Sequence, residues 1–120
     1  MAAVAGEEFF ADDEKAVAIY RAIARSVVAL EGVRFVVSKS QVAFQARRGF
    51  AYAWAPHRYV HSDVPLVLSI ALREHLTSSR FKEVAHPSES TWMHHVELRL
   101  VKDVDRELIG WVKRAYEEAR

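Results

Sequence analysis

The stretch that decides the fold is Val33–Trp54, VRFVVSKSQVAFQARRGFAYAW. Val33, Phe35 and Val37 alternate with Arg34, Val36 and Ser38. Val42, Phe44 and Ala46 alternate with Gln41, Ala43 and Gln45. Phe50, Tyr52 and Trp54 alternate with Ala51, Ala53 and Ala55. A period of two marks half-buried strands, because successive side chains of a strand point to opposite faces. Lys39-Ser40 has the length of a hairpin turn, and Arg47-Arg48-Gly49 supplies the next turn, with Gly49 free to take a positive φ. Three antiparallel strands in meander order are predicted, with Phe50, Tyr52 and Trp54 on one face.

Upstream, the period is that of a helix. Val17, Tyr20, Ala24, Val27 and Val28 recur at spacings of three and four. Asp12 or Asp13 is placed to cap the first turn, and Gly32 suits a left-handed exit. Residues 1–10 read as a flexible lead-in, and 11–120 as one domain. Downstream, Pro56 ends the third strand and residues 57–64 form a loop. Leu66, Leu68, Ile70 and Leu72 then line one face of a strand whose other face is also apolar or small, which predicts a central position. Phe81–Ala85 reads as a short edge strand, followed by a turn over 87–90 and a long strand from Trp92 to Leu100 with one wet face. Asp105 opens a last helix whose stripe includes Leu108, Val112, Ala115 and Tyr116, and Gly110 inside it suggests close packing there. The expected architecture is α+β: a single antiparallel sheet of five to six strands, with the N- and C-terminal helices packed on one face.

Composition fits that reading. A chain of 120 residues with 51% hydrophobic and 28% charged residues is of one-domain size and can bury a core. Its lack of cysteine excludes disulfides, thiolate metal sites and a cysteine nucleophile, and fits a reducing, cytoplasmic compartment. Its apolar runs are far shorter than the ~20 residues of a membrane helix, and no membrane partner is expected. The net charge is only +1, but residues 32–62 carry Arg34, Lys39, Arg47, Arg48 and Arg58 with no acid at all.

From Val37 onward the chain resembles the family catalogued as domain of unknown function 5655, whose members are sometimes labelled predicted transport proteins. The resemblance rests on Ser38-Lys39-Ser40-Gln41-Val42-Ala43-Phe44, Arg47-Arg48-Gly49-Phe50-Ala51, Ser79-Arg80-Phe81, Met93-His94-His95-Val96-Glu97-Leu98, and Val104-Asp105 leading to Trp111 and Ala115-Tyr116-Glu117. It covers roughly two thirds of the chain. The segment from the strands to the last helix is more loosely similar to small double-wing domains linked to DNA binding. The family brings no catalytic residues, so the resemblance implies a fold and no reaction.

Four groups of residues bear on function. Arg34, Lys39, Arg47, Arg48 and Arg58, interleaved with Tyr52, Trp54 and Tyr59, have the mixture suited to phosphate contact and base stacking, which points to a nucleic acid or another anionic ligand. The competing reading is a solvated turn, and the pI of 8.1 lies below the ~9 of a dedicated nucleic-acid binder. Phe50, Tyr52 and Trp54 read as core, or as an exposed platform for a protein partner or homodimer if the helices cover the alanines. His94 and His95 fall on opposite strand faces and cannot chelate one metal together: His94 reads as a core histidine, while His95 lies with Glu97 on the wetter face. His57, His61 and Asp63 would make a zinc site only by converging with a strand histidine, and no metal or cofactor is expected. There is no P-loop, dinucleotide turn, HExxH or Gly-x-Ser-x-Gly, so a non-enzymatic binding module is expected ahead of an enzyme. The residues expected to carry it are Arg34, Lys39, Arg47, Arg48, Arg58, Tyr52, Trp54 and His95.

Overall fold

A computed structural model describes residues 4–120. Helix α1 (Glu14–Val28) is capped by Asp13, whose carboxylate accepts from the backbone N–H groups of Lys15 and Ala16. Strands β1 (Arg34–Val37), β2 (Val42–Gln45), β3 (Gly49–Trp54), β4 (Leu66–Leu72), β5 (Phe81–Ser88) and β6 (Thr91–Leu98) form one sheet in the order β1-β2-β3-β4-β6-β5. All its pairings are antiparallel. Helix α2 (Arg106–Ala119) closes the chain, capped by Asp105 through the Leu108 N–H. The fold is therefore α+β, with six strands.

One face of the sheet makes the core. Val42 and Phe44 of β2, Ala51 and Ala53 of β3, the even-numbered residues Leu66–Leu72 of β4, and Val96 and Leu98 of β6 are buried together with Ile19, Tyr20, Ile23 and Val27 of α1 and Leu108, Val112 and Ala115 of α2. The alanines decide which face the helices take. Without bulk at 51 and 53, the helices settle close to the middle of the sheet, and the large rings at 52 and 54 stay on the far side.

The sequence reading is corrected at five places. A bulge between β2 and β3 pairs Gln45 with Gly49 and Phe44 with Ala51, so Phe50 is the extra residue. It turns to the helix side, 0% exposed, its ring 6.5 Å from that of Phe44 and 5.6 Å from that of Tyr116. Phe50 therefore does not share a face with Tyr52 and Trp54. Gly49 takes no positive φ; its lack of a Cβ leaves room for the Tyr52 hydroxyl, which lies back over it and would have to shift for any larger residue. The expected lead-in is ordered from residue 4: Glu7–Phe10 forms a short 3-10 turn, Phe9 and Phe10 are buried, and the Tyr20 hydroxyl donates to the Ala5 carbonyl. Residues 1–3 of that lead-in lie outside the described residues. Strand β5 runs to Ser88 rather than stopping at Ala85; Pro87 fits because this strand is at the sheet edge. Gly110 is exposed and a Cβ there would meet nothing, so close packing is not its reason. Gly32, by contrast, takes the expected positive φ of 75° after α1.

That last correction is directly testable. Gly110→Ala removes backbone entropy from the unfolded chain with no steric cost in the fold, and is expected to stabilise by about 1 kcal/mol in urea denaturation. A lower midpoint than the parent would mean that α2 is packed at this position.

Candidate functional site

Among the described residues, no helix covers the reverse face of the sheet. Its middle is a row of register partners, Ala43, Tyr52, Ser69, His95 and Glu83, from β2, β3, β4, β6 and β5. Next to it runs Trp54, Val67 and Glu97. The alternation of β3 delivers Tyr52 and Trp54 here, and that of β6 delivers Met93, His95 and Glu97.

Three side chains are tied together across the strands. The Trp54 Nε1–H donates to Ser69 Oγ at 2.9 Å, and Ser69 Oγ lies 2.6 Å from His95 Nδ1. An indole N–H can only donate, so the serine oxygen accepts from Trp54 and its own proton is free for His95. That oxygen keeps a second lone pair, so the bond to His95 Nδ1 forms with either ring tautomer. Burial favours the neutral imidazole, pushing the His95 pKa below the ordinary 6.5, while the charge of Glu83 opposes it. His95 Nε2 has no hydrogen-bond partner among the described residues. Ser69 is only 3% exposed and bridges the two rings, which fixes their mutual orientation.

The rings stand as walls. Trp54 is perpendicular to His95, with centroids 6.4 Å apart, and lies edge-on to Tyr59 at 6.0 Å. Tyr59, from the β3–β4 connection, is fixed by its hydroxyl donating to the Ser40 carbonyl at 3.0 Å. Between them lies an open concavity of about 440 Å³, lined by Ser40, Gln41, Tyr52, Trp54, Tyr59, Ser69, Met93 and His95. It contains no charged residue. A second hollow of about 400 Å³ adjoins it across Trp54 and His95, with Val60, Val67, Lys82 and Glu97 in its wall. Both volumes fall in the range of small-ligand sites. Burial also pushes the Tyr52 phenol above its ordinary value, keeping it protonated.

The five cations singled out in the sequence do not form one group. In a meander, the β1–β2 turn and the β3–β4 connection share one end of the sheet, and the β2–β3 turn sits at the other. Lys39 and Arg58 are at the first end. Arg58 donates to the carbonyls of Phe9 at 2.7 Å and Lys39 at 3.3 Å and lies 4.0 Å over the Phe9 ring, an internal clip between two segments. Arg34, Arg47 and Arg48 are at the second end. Arg34 reaches Gln45 Oε1 and the Ala46 carbonyl. The backbone N–H groups of Arg47 and Arg48 donate to the Ala119 carbonyl, and the Arg48 guanidinium to that of Glu118 at 3.0 Å, so this turn caps the C-terminus of α2. Arg73, not singled out in the sequence, donates to the same Glu118 carbonyl at 3.0 Å. Nothing in its local pattern marks it; only the folded chain brings it beside Arg48.

His94 is 0% exposed, accepts the Leu76 N–H on Nε2 at 3.0 Å and faces the Ile70 carbonyl with Nδ1 at 3.3 Å, which requires the neutral ring. Burial lowers its pKa. His57 faces Asp12 at 3.4 Å, and among the described residues no three His, Cys, Asp or Glu side chains converge as a metal site. Arg80 and Phe81, part of the family motif, pack on Trp111, and Arg80 also bonds Asp105 and Glu107.

Motif residues placed this way, in the core and at the caps, are what a shared fold requires, and the family model described as Domain of unknown function (DUF5655) matches residues 6–119. The chain belongs to the DUF5655 family. No curated protein and no solved structure matches it. Among the described residues of this DUF5655 domain, no helix is long and apolar enough to cross a membrane.

Two outcomes follow for this DUF5655 face and its neighbour His94. Ser69→Ala leaves the Trp54 N–H without its acceptor and should cost about 1–3 kcal/mol in chemical denaturation; an unchanged midpoint would mean that the Trp54–Ser69–His95 chain is not formed. Both His94 and His95 have folded pKa values below the unfolded 6.5, so the unfolded state binds more protons once the pH falls below that value. Stability is therefore full above pH 6.5 and declines as the pH drops below it. The ion-paired Asp63 and Asp105, lowered from 3.8, act only in more acidic solution. A melting temperature that is flat from pH 7.5 to 5.5 would contradict the neutral-histidine assignment.

Proposed function

We propose that this domain is a non-enzymatic binding module whose ligand seats a planar, uncharged ring in the concavity on the open sheet face. The observation that carries the reading is the Trp54–Ser69–His95 hydrogen-bond chain. It fixes two rings at right angles on a surface that no helix of the described residues covers. Aromatic groups whose rotamers are already locked lose little entropy on binding, and a flat ring gains both stacking area and edge contacts in such a corner. His95 Nε2, without a hydrogen-bond partner among the described residues, supplies one free polar atom beside the rings, which favours a ligand with a hydrogen-bonding edge. The lining residues Tyr52, Trp54 and His95 carry this role, with Ser69 positioning the last two. A cytoplasmic setting fits the absence of cysteine.

A second reading uses the same face as a docking surface for a protein partner or another copy of the chain. It is favoured by Val36, Tyr59 and Val60, which are 41%, 55% and 61% exposed on or beside this face. Light scattering over a concentration series separates the two, since the ring-binding module is a monomer at the concentrations used for titration.

The test is a two-dimensional ¹H–¹⁵N titration of the domain with adenine and with indole as planar probes. Shifts should concentrate on the Trp54 indole N–H and on the amides of Ser69, His95 and Tyr59, and Trp54→Leu should abolish saturation. Shifts scattered over both faces, or none at millimolar probe, would overturn the reading.

A further inference from the structure

The aromatic concavity continues along β3 into a cationic end. A groove of about 240 Å³ shares Tyr52 and Met93 with it and includes Gly49, Arg48 and Arg73. That groove in turn shares Arg48, Arg73 and Glu118 with a hollow of about 380 Å³ that adds Arg47 and Arg120. This track of adjoining hollows leads from neutral rings to four guanidinium groups, with Tyr52, whose hydroxyl lies over Gly49, in the wall of the first two. Its length follows from strand geometry: Gly49 to Trp54 is five residue steps, or about 17 Å.

The cationic end has unspent capacity. Arg48 and Arg73 each donate one Nη2–H to the same Glu118 carbonyl at 3.0 Å, which holds two positive heads no more than twice that distance apart. Each guanidinium has five N–H donors, so most remain available. The Arg47 side chain has no hydrogen bond or ion pair among the described residues and is exposed. The nearby acids are already engaged. Glu118 accepts from the Arg73 backbone N–H at 2.9 Å and from Arg114 at 3.3 Å, and Glu117 from Arg120 at 3.1 Å. Two cations fixed side by side repel each other, and an oxyanion bridging them relieves that repulsion while using the planar donor fork for which arginine is suited.

We infer that the ligand of this face is a single-stranded nucleic acid, one base seated against Trp54 and Tyr59 and the phosphates of neighbouring nucleotides gripped by Arg48 with Arg73 and by Arg47. The inference rests on the ring-binding reading above and adds the phosphate to it. Stacking plus backbone cations is the chemistry of sequence-tolerant single-strand recognition, and a 17 Å track exceeds the reach of one nucleotide from base to phosphate. A single-stranded oligonucleotide fills it and a mononucleotide fills part of it.

The experiment compares adenosine, adenosine monophosphate and a short single-stranded oligoadenylate by titration against the full chain. Nucleoside and mononucleotide should bind alike, since neither reaches from Trp54 to the arginines, and the oligonucleotide should bind at least ten-fold more tightly than both. With two phosphates engaged, oligonucleotide affinity should fall about seven-fold between 50 and 200 mM salt. Arg73→Gln and Arg47→Ala should remove most of the gain over adenosine without changing adenosine binding; the second variant, at a side chain without internal partners, guards against loss of fold. An oligonucleotide no tighter than adenosine would overturn the phosphate site while leaving the ring site standing. A mononucleotide as tight as the oligonucleotide would assign the site to a free nucleotide rather than a strand. Failure of all three probes would overturn the ring site as well.

Discussion

The organisation of the molecule depends on one irregularity in strand β3, the bulge that spends Phe50 as an unpaired residue between Gly49 and Ala51. Without it, strict alternation would put Phe50 beside Tyr52 and Trp54. With it, the strand places a phenylalanine and two alanines on the helix side and two polar-tipped rings on the other. Phe50 then bridges Phe44 and Tyr116 and joins the sheet to α2. The open face keeps Tyr52 and Trp54, whose polar atoms would be costly in the core and instead find Ser69 or solvent.

The asymmetry of the two faces has a functional consequence. An apolar core of aliphatic and aromatic groups can tolerate exchange of similar volumes, but the open face carries directional bonds between Trp54, Ser69 and His95. At the far end of β3, the turn that caps α2 gathers Arg48 beside Arg73, so a feature needed for helix termination also concentrates positive charge at one end of the ring-lined track. The same residues thus serve stability and, in the reading advanced above, recognition.

Much of the architecture was legible in the sequence because period and caps are local. Asp13 and Asp105 cap the helices, Gly32 turns left-handed, and β4 is central because both its faces are apolar. The bulge was not legible, since Arg47-Arg48-Gly49 fits a simple turn equally well and only pairing across β2 reveals the extra residue. The role of Phe9 and Phe10 was missed because a short acidic and aromatic segment has no helical period to betray it. At the site, Tyr52, Trp54 and His95 could be picked out from strand parity. Ser69 could not, being a small residue on a strand that looked uniformly buried, and Arg73 joins Arg48 only through tertiary contact. The basic segment illustrates the limit of charge counting: its members are close in sequence, yet a meander sends alternate turns to opposite ends of the sheet.

The division made by β3 can be measured without any ligand. Nuclear Overhauser spectra of the labelled domain should connect the Phe50 ring to Phe44 and Tyr116, and the Trp54 indole to Ser69, His95 and Tyr59, with no cross-peaks between the two sets. Cross-peaks from the Phe50 ring to Trp54 or His95 would show that the three aromatic residues share a face, and would contradict both the bulge and the open-face site built on it.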